Sequence, residues 1–459
     1  MTGATSASSV KRRKVGSAGP TFIDVFAGCG GLSLGLMQAG WRGLFAIEQN
    51  KDAFETLSFN LAREDSRCSF DWPRWLPKEP ISVDACLRDY QSQLVKLAGK
   101  IDMLVGGPPC QGFSSAGRRD PADPRNKLVR SYLKLVKILQ PRLVLMENVR
   151  GITASFADPT AASGKRNYAD WIIDALSDEY VVHSRMLDTS AFGVPQKRHR
   201  YFVVAIRKNQ PASLRELDPF SAIDNDRHSF LYGKGISVAP VSAKIAISDL
   251  ELKTNGSLPS RDTMGFEDID YSRPRTTYQR LMNSGCVGAP SSTRLPRHAR
   301  EIAARFKKII SLCKAEGRLN ISLSPEARAS FGLRKCALRV LDPDAPSPTI
   351  TSMPDDLLHY NEPRTLTVRE TARLQSFPDW FEFKGKYTTG GKRRRVDVPR
   401  YTQVANAVPP LAAEAIGLSL KTHLLIKPLI SRLASAQRTI PRKAPDASTS
   451  SRANPSSLR

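Results

Sequence analysis

Six short apolar runs lie between Thr21 and Arg207: TFIDVFA, GLFAIE, IDMLVGG, RLVLMENV, VHSRMLD and RYFVVAIR. Each has the length of one strand, and the stretches between them read as helical. That rhythm predicts an α/β fold, a doubly wound and mostly parallel sheet with helices on both faces. Such sheets bind ligands at the carboxyl ends of their strands. The residues leaving each run therefore carry most of the functional information.

A chain of 459 residues has room for two or three domains. Residues 1–19 form a basic tail expected to be disordered, and 20–207 the sheet domain. From about Lys208 charges, Pro and Gly rise and the alternation fades. This predicts a second, loop-rich domain over 208–363. TLTVRETARLQSFP and QVANAVPPLAAEAIGLSL then predict helices that return to the sheet domain over 364–425. The polar segment 438–459 is expected to be disordered.

The formal net charge of +25 points to a polyanionic partner, nucleic acid first. Seven cysteines (Cys29, Cys68, Cys86, Cys110, Cys286, Cys313, Cys336) make an odd set without a Cys-x-x-Cys pair. Neither a zinc site nor a disulfide framework is supported, and reduced thiols are expected. No apolar run approaches the roughly 18–20 residues of a membrane span. The start, MTGATSASSVKRRKVG, lacks the apolar segment of a secretory signal. An intracellular, soluble protein is expected. Lys11–Lys14 can be a nuclear signal, a nucleic-acid arm or a solvated tail.

FIDVFAGCGGLSLGLMQAG reads as strand, glycine turn, helix. Gly28, Gly30 and Gly31 either let backbone approach a ligand, with free amides at the helix start, or only turn the chain. Glu48 ends the next strand about twenty residues on, where an acid can accept from both hydroxyls of a ribose. Asp89 in CLRDY is either a third strand-end acid, suited to an adenine amino group, or a turn or helix-cap residue. Gly-x-Gly-x-x-Gly is absent, so a nucleoside cofactor without a pyrophosphate fits better than a dinucleotide.

In LVGGPPCQGFSSAG a thiol, Cys110, follows a strand on a loop stiffened by glycines and prolines. It is either packing or a displayed nucleophile. Glu147 ends the apolar run RLVLMEN, where a carboxylate is costly to bury without a partner; it is either a salt-bridged or capping Glu or a carboxyl that meets a substrate's basic nitrogen. Arg198 and Arg200 in PQKRHRYFVVAIR share one face at period two. They are either solvated charge or a grip on a base oxygen and a phosphate. A thiolate can add to carbon 6 of a cytosine whose ring nitrogen 3 is protonated or hydrogen-bonded. Carbon 5 then becomes nucleophilic toward a sulfonium methyl, and loss of the carbon-5 proton with expulsion of the thiol restores the ring. The base must leave the duplex stack for this chemistry.

FIDVFAGCGGLSLGL, GGPPCQGFSSAG, ENVRG, QKRHR, LTVRETARLQSFPD and QVANAVPP, in this order from Phe22 to about Leu420, resemble the motifs of the DNA (cytosine-5) methyltransferases. The resemblance implies that Cys110 is the nucleophile and Glu147 its partner. It implies that Arg198 and Arg200 contact base, loop or phosphate. It places S-adenosylmethionine over the glycine loop, with Phe26, Gly28, Gly30, Gly31, Glu48, Asp89, Pro108 and Asn406 at the cofactor side. Asn406 also matches a late Asn that supports the nucleophile loop. Gln49 departs from the family's frequent apolar or aromatic residue against adenine, and Ala405 from a frequent glycine.

The loose middle matches the family's variable target-recognition region, and its SRPRTTYQRLMNSG, SSTRLPRHARE and ARFKKIISLCK segments suit phosphates and base edges. The basic run Lys392–Arg395 is either a solvated loop or a phosphate contact. The expected partner is double-stranded DNA, with no membrane partner. A monomer is expected, beside a restriction endonuclease acting on the same site without a stable complex. The expected setting is the bacterial cytoplasm at the nucleoid, with the nucleus as the alternative from Lys11–Lys14. An RNA cytosine methyltransferase of the same fold would carry a compact recognition region. A silent DNA-binding homologue would lack Cys110 or Glu147. A redox role for Cys110 has no nearby resolving thiol.

Overall fold

The computed structural model describes residues 19–109, 126–157, 165–334, 336–389, 393 and 396–426. Cys110, Lys11–Lys14, the 438–459 tail and, Arg393 apart, the Lys392–Arg395 run lie outside the described residues.

All six apolar runs form strands: β1 (Thr21–Val25), β2 (Arg42–Ile47), β3 (Met103–Gly106), β4 (Leu143–Val149), β5 (Tyr180–Asp188) and β6 (His199–Arg207). They make one sheet in the order β2-β1-β3-β4-β6-β5. The first four are mutually parallel. Only β6 runs against its neighbours β4 and β5. The chain steps from β1 outward to β2, then crosses back to β3 on the other side of β1. This reversal opens a crevice at the carboxyl ends of β1 and β3. The glycine loop, Glu48, Pro108 and Glu147 all leave strands at that edge.

Successive residues of each central strand face opposite layers. Phe22, Ala46, Met103, Val105, Leu143 and Leu145 join one apolar cluster. Ile23, Val25, Phe45, Ile47, Leu104, Val144 and Met146 join another. The second layer is covered by α3 (Val83–Asp89), α4 (Asn126–Leu139) and α5 (Tyr168–Ser177), through Cys86, Leu133, Val136 and Ile172. The first is covered by α1 (Gly31–Gln38) and α6 (Pro219–Gly233), together with α10 (Pro410–Lys421) from the far end of the chain. Between β2 and α3 lies α2 (Lys51–Leu61), whose N-cap Asn50 accepts from the amides of Asp52 and Ala53.

The structure alters three expectations. Asp89 is not at a strand end: it closes α3 and pairs with Arg88 at the surface, 2.8 Å from its Nε. Val83, Cys86 and Leu87 recur at helical spacing and are buried, which fixes that segment as a helix. The final helical segment is broken into α9 (Arg400–Asn406) and α10, because Pro409 and Pro410 cannot continue a helix but can start one. Packing also continues past residue 208: Phe220, Ile223, Phe230 and Leu231 of α6 and Ala246 and Ile247 belong to the sheet-domain cluster. A separate cluster, Phe306, Ile309, Ile310, Leu323, Leu338 and Val340, forms around α7 (Arg300–Ala315). The return begins with α8 (Val368–Leu374), opened by a capping box between Thr367 and Glu370. Its buried Arg373 meets Asp379 at 2.5 Å and Asp249 at 3.1 Å, so each charge buried there has an opposite one.

Glycines set the distance between α1 and α10. A Cβ on Gly35 would lie 2.4 Å from Pro410 O, 2.5 Å from Ala413 Cβ and 2.8 Å from Glu414 N. Gly35→Ala should lower the melting temperature. Overpacking costs about 1–3 kcal/mol, more than the roughly 1 kcal/mol that alanine gains in helix propensity. Thermal unfolding checks this, and an unchanged or higher midpoint would show that the two helices separate freely.

Candidate active site

The glycine loop turns through three left-handed residues in five: Phe26 (φ 62°), Gly28 (φ 55°) and Gly30 (φ 94°). Phe26 carries the side chain for which that conformation is costly. The three expected glycines divide by role. A Cβ on Gly28 would meet nothing within 4 Å among the described residues, which leaves space over it for a ligand. Gly30 is required by its φ, and a Cβ there would also displace the Leu61 Cδ1 methyl, which would lie 2.7 Å away. A Cβ on Gly31 would lie 2.4 Å from Val408 O. The Gly30 amide is not free, because it donates to Ala27 O at 2.9 Å.

Glu48 braces this loop. Its Oε2 accepts from Gly28 N at 2.9 Å and its Oε1 from Asn50 N at 2.7 Å. Burial pushes the carboxyl up, and these amides pull it back. A carboxylate has about four acceptor sites, so it keeps capacity for a further donor beside these amides. The open face over Gly28 and the spare acceptors of Glu48 suit a nucleoside ribose.

Asp24, one turn of the strand before Phe26, carries a signal that the sequence reading missed. Its side chain is buried and accepts from Ser33 Oγ at the start of α1. Burial raises its pKa from the ordinary 3.8 to about 7.

At the next strand end, the buried Asn148 donates from Nδ2 to Pro108 O at 2.8 Å. Its Oδ1 accepts from Val149 N at 2.9 Å. Asn148 thus ties the loop that leads to Cys110 onto β4. Beside it Glu147 is buried, and a Cβ on Gly107 would lie 3.3 Å from Glu147 Oε2. The carboxylate therefore packs over the backbone three residues before Cys110. Arg200 Nε lies 3.1 Å from Glu147 Oε1. It is off the hydrogen-bonding axis, and Oε1 has no hydrogen-bond donor among the described residues. Burial raises the Glu147 pKa, while Arg200 and then Arg198 oppose the rise. A carboxyl held this way can keep a proton for a basic ring nitrogen.

Alternation through Gln196, Arg198 and Arg200 directs all three inward, as period two predicts. The pairing of Glu147 with Phe202 and of Val149 with Arg200 sets Glu147 diagonally across from Arg200. Arg198 is fully buried, so it cannot reach a phosphate from this position. Its Nη2 donates to Ala405 O at 2.8 Å and Ala407 O at 3.2 Å, while Nε and Nη1 have no hydrogen-bond partner among the described residues. Ala407 O also accepts from Gln375 Nε2 at 2.6 Å. These donors fix the α9–α10 junction around Asn406, which is exposed and lines a cleft of about 490 Å³ with Met353, Tyr387 and Thr402. Of the thiols described, burial pushes Cys29 and Cys86 up to about 12 and Cys68 up to about 11, which suits packing and not nucleophilic attack.

A family model described as C-5 cytosine-specific DNA methylase matches residues 20–422. The type II methyltransferase M.DdeI of Desulfomicrobium norvegicum is 30% identical over 408 residues, covering 86% of each chain. The type II methyltransferase M.AgeI of Thalassovita gelatinovora is 29% identical over 470 residues, covering 88% of this chain and 99% of the relative. A crystal structure of an Escherichia coli prophage protein, described as a DNA modification methyltransferase, has the same fold. Its TM-score is 0.56 at 24% identity, and the match covers 88% of this chain and 99% of that one.

Asp24 supplies a test of the buried electrostatics. Its folded pKa lies above its unfolded value, so the native state favours the protonated acid. That stabilisation is complete below about pH 4 and is lost as pH rises toward about 7. Asp24→Asn has no such ionisation. Its stability relative to the parent should therefore rise between pH 5 and pH 8 in thermal unfolding, whereas a pH-independent difference would show Asp24 ionised throughout.

Proposed function

The chain belongs to the C-5 cytosine-specific DNA methylases, and on that footing we propose how its residues divide the work of methyl transfer. It is a DNA (cytosine-5-)-methyltransferase, similar to those of type II restriction–modification systems. The reading of its site rests on the buried Glu147 carboxyl, which is paired with Arg200 and packs over the loop that leads to Cys110.

The cytosine leaves the duplex stack and enters the crevice with its ring nitrogen 3 toward Glu147. Glu147 holds a proton at that nitrogen and accepts from the exocyclic amino group. Nitrogen 3 then withdraws electrons from the ring, and the Cys110 thiolate adds to carbon 6. The new carbon–sulfur bond leaves carbon 5 nucleophilic. S-adenosylmethionine, when bound, supplies the methyl group as a sulfonium electrophile. Loss of the carbon-5 proton to a base then lets Cys110 leave as thiolate, and the ring double bond returns. Arg200 keeps Glu147 oriented. Arg198 holds the α9–α10 junction in place, and Asn148 holds the nucleophile loop.

The open face over Gly28, Phe26 in its strained turn and the Glu48 carboxylate would hold the cofactor's nucleoside. Pro108 and Asn406 belong to the wall shared by cofactor and base. Gly30 contributes by its left-handed turn and Gly31 by bringing α1 close to its neighbours. Sequence recognition falls to the exposed surface of 208–363, around α7 and the segments before it. The substrate is double-stranded DNA, acted on by a monomer in the bacterial cytoplasm at the nucleoid. A restriction endonuclease of the same specificity acts separately.

Cys110→Ser should abolish methyl incorporation and leave DNA binding intact, since a hydroxyl is far less ionised than a thiol. Labelled-methyl incorporation and a gel shift measure the two. Duplex DNA with 5-fluorocytosine at the target should trap the parent enzyme covalently, because fluorine cannot leave as a proton. Turnover by the serine variant would refute the nucleophile assignment. Bisulfite sequencing of plasmid DNA from expressing cells reads the modified site. Glu48→Ala should weaken S-adenosylmethionine binding by roughly 1.5–3 kcal/mol, the scale of hydrogen bonds to a charged group. Unchanged affinity by calorimetry would place the ribose elsewhere.

A further inference from the structure

A short antiparallel hairpin, β7 (Ser257–Pro259) with β8 (Glu267–Ile269), projects a turn containing Arg261 and Met264. Met264 at its tip is 95% exposed. The turn is not loosely attached. Asp262 within it accepts from Tyr387 Oη at 2.7 Å and from both terminal nitrogens of Arg400, with Nη2 at 3.3 Å. The Arg294 guanidinium lies between two rings, 4.1 Å from the Phe266 centroid and 3.6 Å from that of Tyr387. It clamps the hairpin to the loop that holds Tyr387.

Arg400 is the other half of this fastening. Its Nε donates to Gly385 O at 2.9 Å and its amide to Lys386 O at 2.8 Å. It is also the first residue of α9, a helix of seven residues that spans about 10 Å. The far end of α9 carries Asn406 and the carbonyls that hold Arg198. Tyr387 and Asn406 line the same cleft. A forked guanidinium on a carboxylate fixes angle as well as distance, so the hairpin cannot tilt without pulling on α9.

We propose that the hairpin reads the target DNA and that Asp262, through Arg400 and α9, is a positioning residue that ties correct seating of the hairpin to correct placement of the catalytic groups. This rests on the methyltransferase reading above. On a matched duplex the hairpin sits where α9, Arg198 and Glu147 are aligned. On a mismatched duplex the hairpin is displaced, and the rigid link carries the displacement to the catalytic wall. Severing the link leaves the reaction but lets mismatched DNA escape that penalty, while the matched duplex loses the alignment it supplied.

The test uses duplex oligonucleotides carrying the methylated sequence and its single-base variants, with kcat and KM measured separately. Parent activity on the matched duplex establishes the reaction independently, so the comparison between duplexes bears on the link alone. Asp262→Asn should lower the matched-to-mismatched ratio of kcat/KM by roughly tenfold, chiefly through kcat on the matched duplex. Asp262→Glu should recover part of the ratio. The Asp262 side chain is 38% exposed, and an unchanged thermal unfolding midpoint of Asp262→Asn separates loss of the link from loss of the fold. Tyr387→Phe removes one hydrogen bond from Asp262 and should shift the ratio the same way by less. Equal losses on matched and mismatched duplexes would reduce Asp262 to a structural or phosphate-binding part and overturn the proposal, as would an unchanged ratio.

Discussion

The closeness of α1 to α10 is the constraint on which the site depends. Backbone of Val408 and Pro410 sits where side chains of residues 31 and 35 would otherwise be, and the Trp41 indole donates to Gly417 O at 2.8 Å. Because α1 starts at the glycine loop, its position against α10 fixes where the open face over Gly28 points. Because α10 starts just after Ala407, the same contact fixes the carbonyls that receive Arg198. One helix pair therefore registers the cofactor side of the crevice against its base side. A looser pair would shift both, and no hydrogen bond at either side could compensate, since each is anchored to one of the two helices.

The electrostatics at the base side follow from burial. One carboxyl, Glu147, and two guanidiniums, Arg198 and Arg200, are withdrawn from water together. Opposite charge lowers the desolvation cost of each, but Glu147 Oε1 and two Arg198 nitrogens still lack hydrogen-bond partners among the described residues. This group keeps unused hydrogen-bonding capacity among the described residues. Arg373, with Asp249 and Asp379 both close by, contrasts with it. There every charge has an opposite one, and the cluster is structural.

The strands were legible because a sheet covered on both faces needs apolar residues at nearly every position, and such runs stand out in a sequence. Glu48 and Glu147 stood out in the sequence because an acid that closes an apolar run is costly to bury without a partner. Asp89 shows the limit of that logic. An acid at the end of a short helix follows a similar pattern, and only the spacing of Val83, Cys86 and Leu87 separates the cases. Arg198 shares a face with Arg200 as alternation predicts, but its partner was not readable, because Ala405 is 207 residues away. Nor could sequence tell that Gly31 is glycine for packing, since the atom that excludes a Cβ comes from Val408. The same distance hid the Asp262–Arg400 pair, in which neither residue has a local reason to be charged.

The pairing of Trp41 with Gly417, 376 residues apart, also sets a timetable for the growing chain. On a ribosome adding 5–20 residues per second, those two residues emerge roughly 20–75 s apart. One face of the sheet is covered by α3, α4 and α5, all made before residue 180. The other holds Leu32, Leu34 and Leu36 uncovered by α10 until almost the whole chain has been synthesised. The sheet is thus finished one face at a time, and its apolar second face must be shielded from other nascent chains for much of its own synthesis.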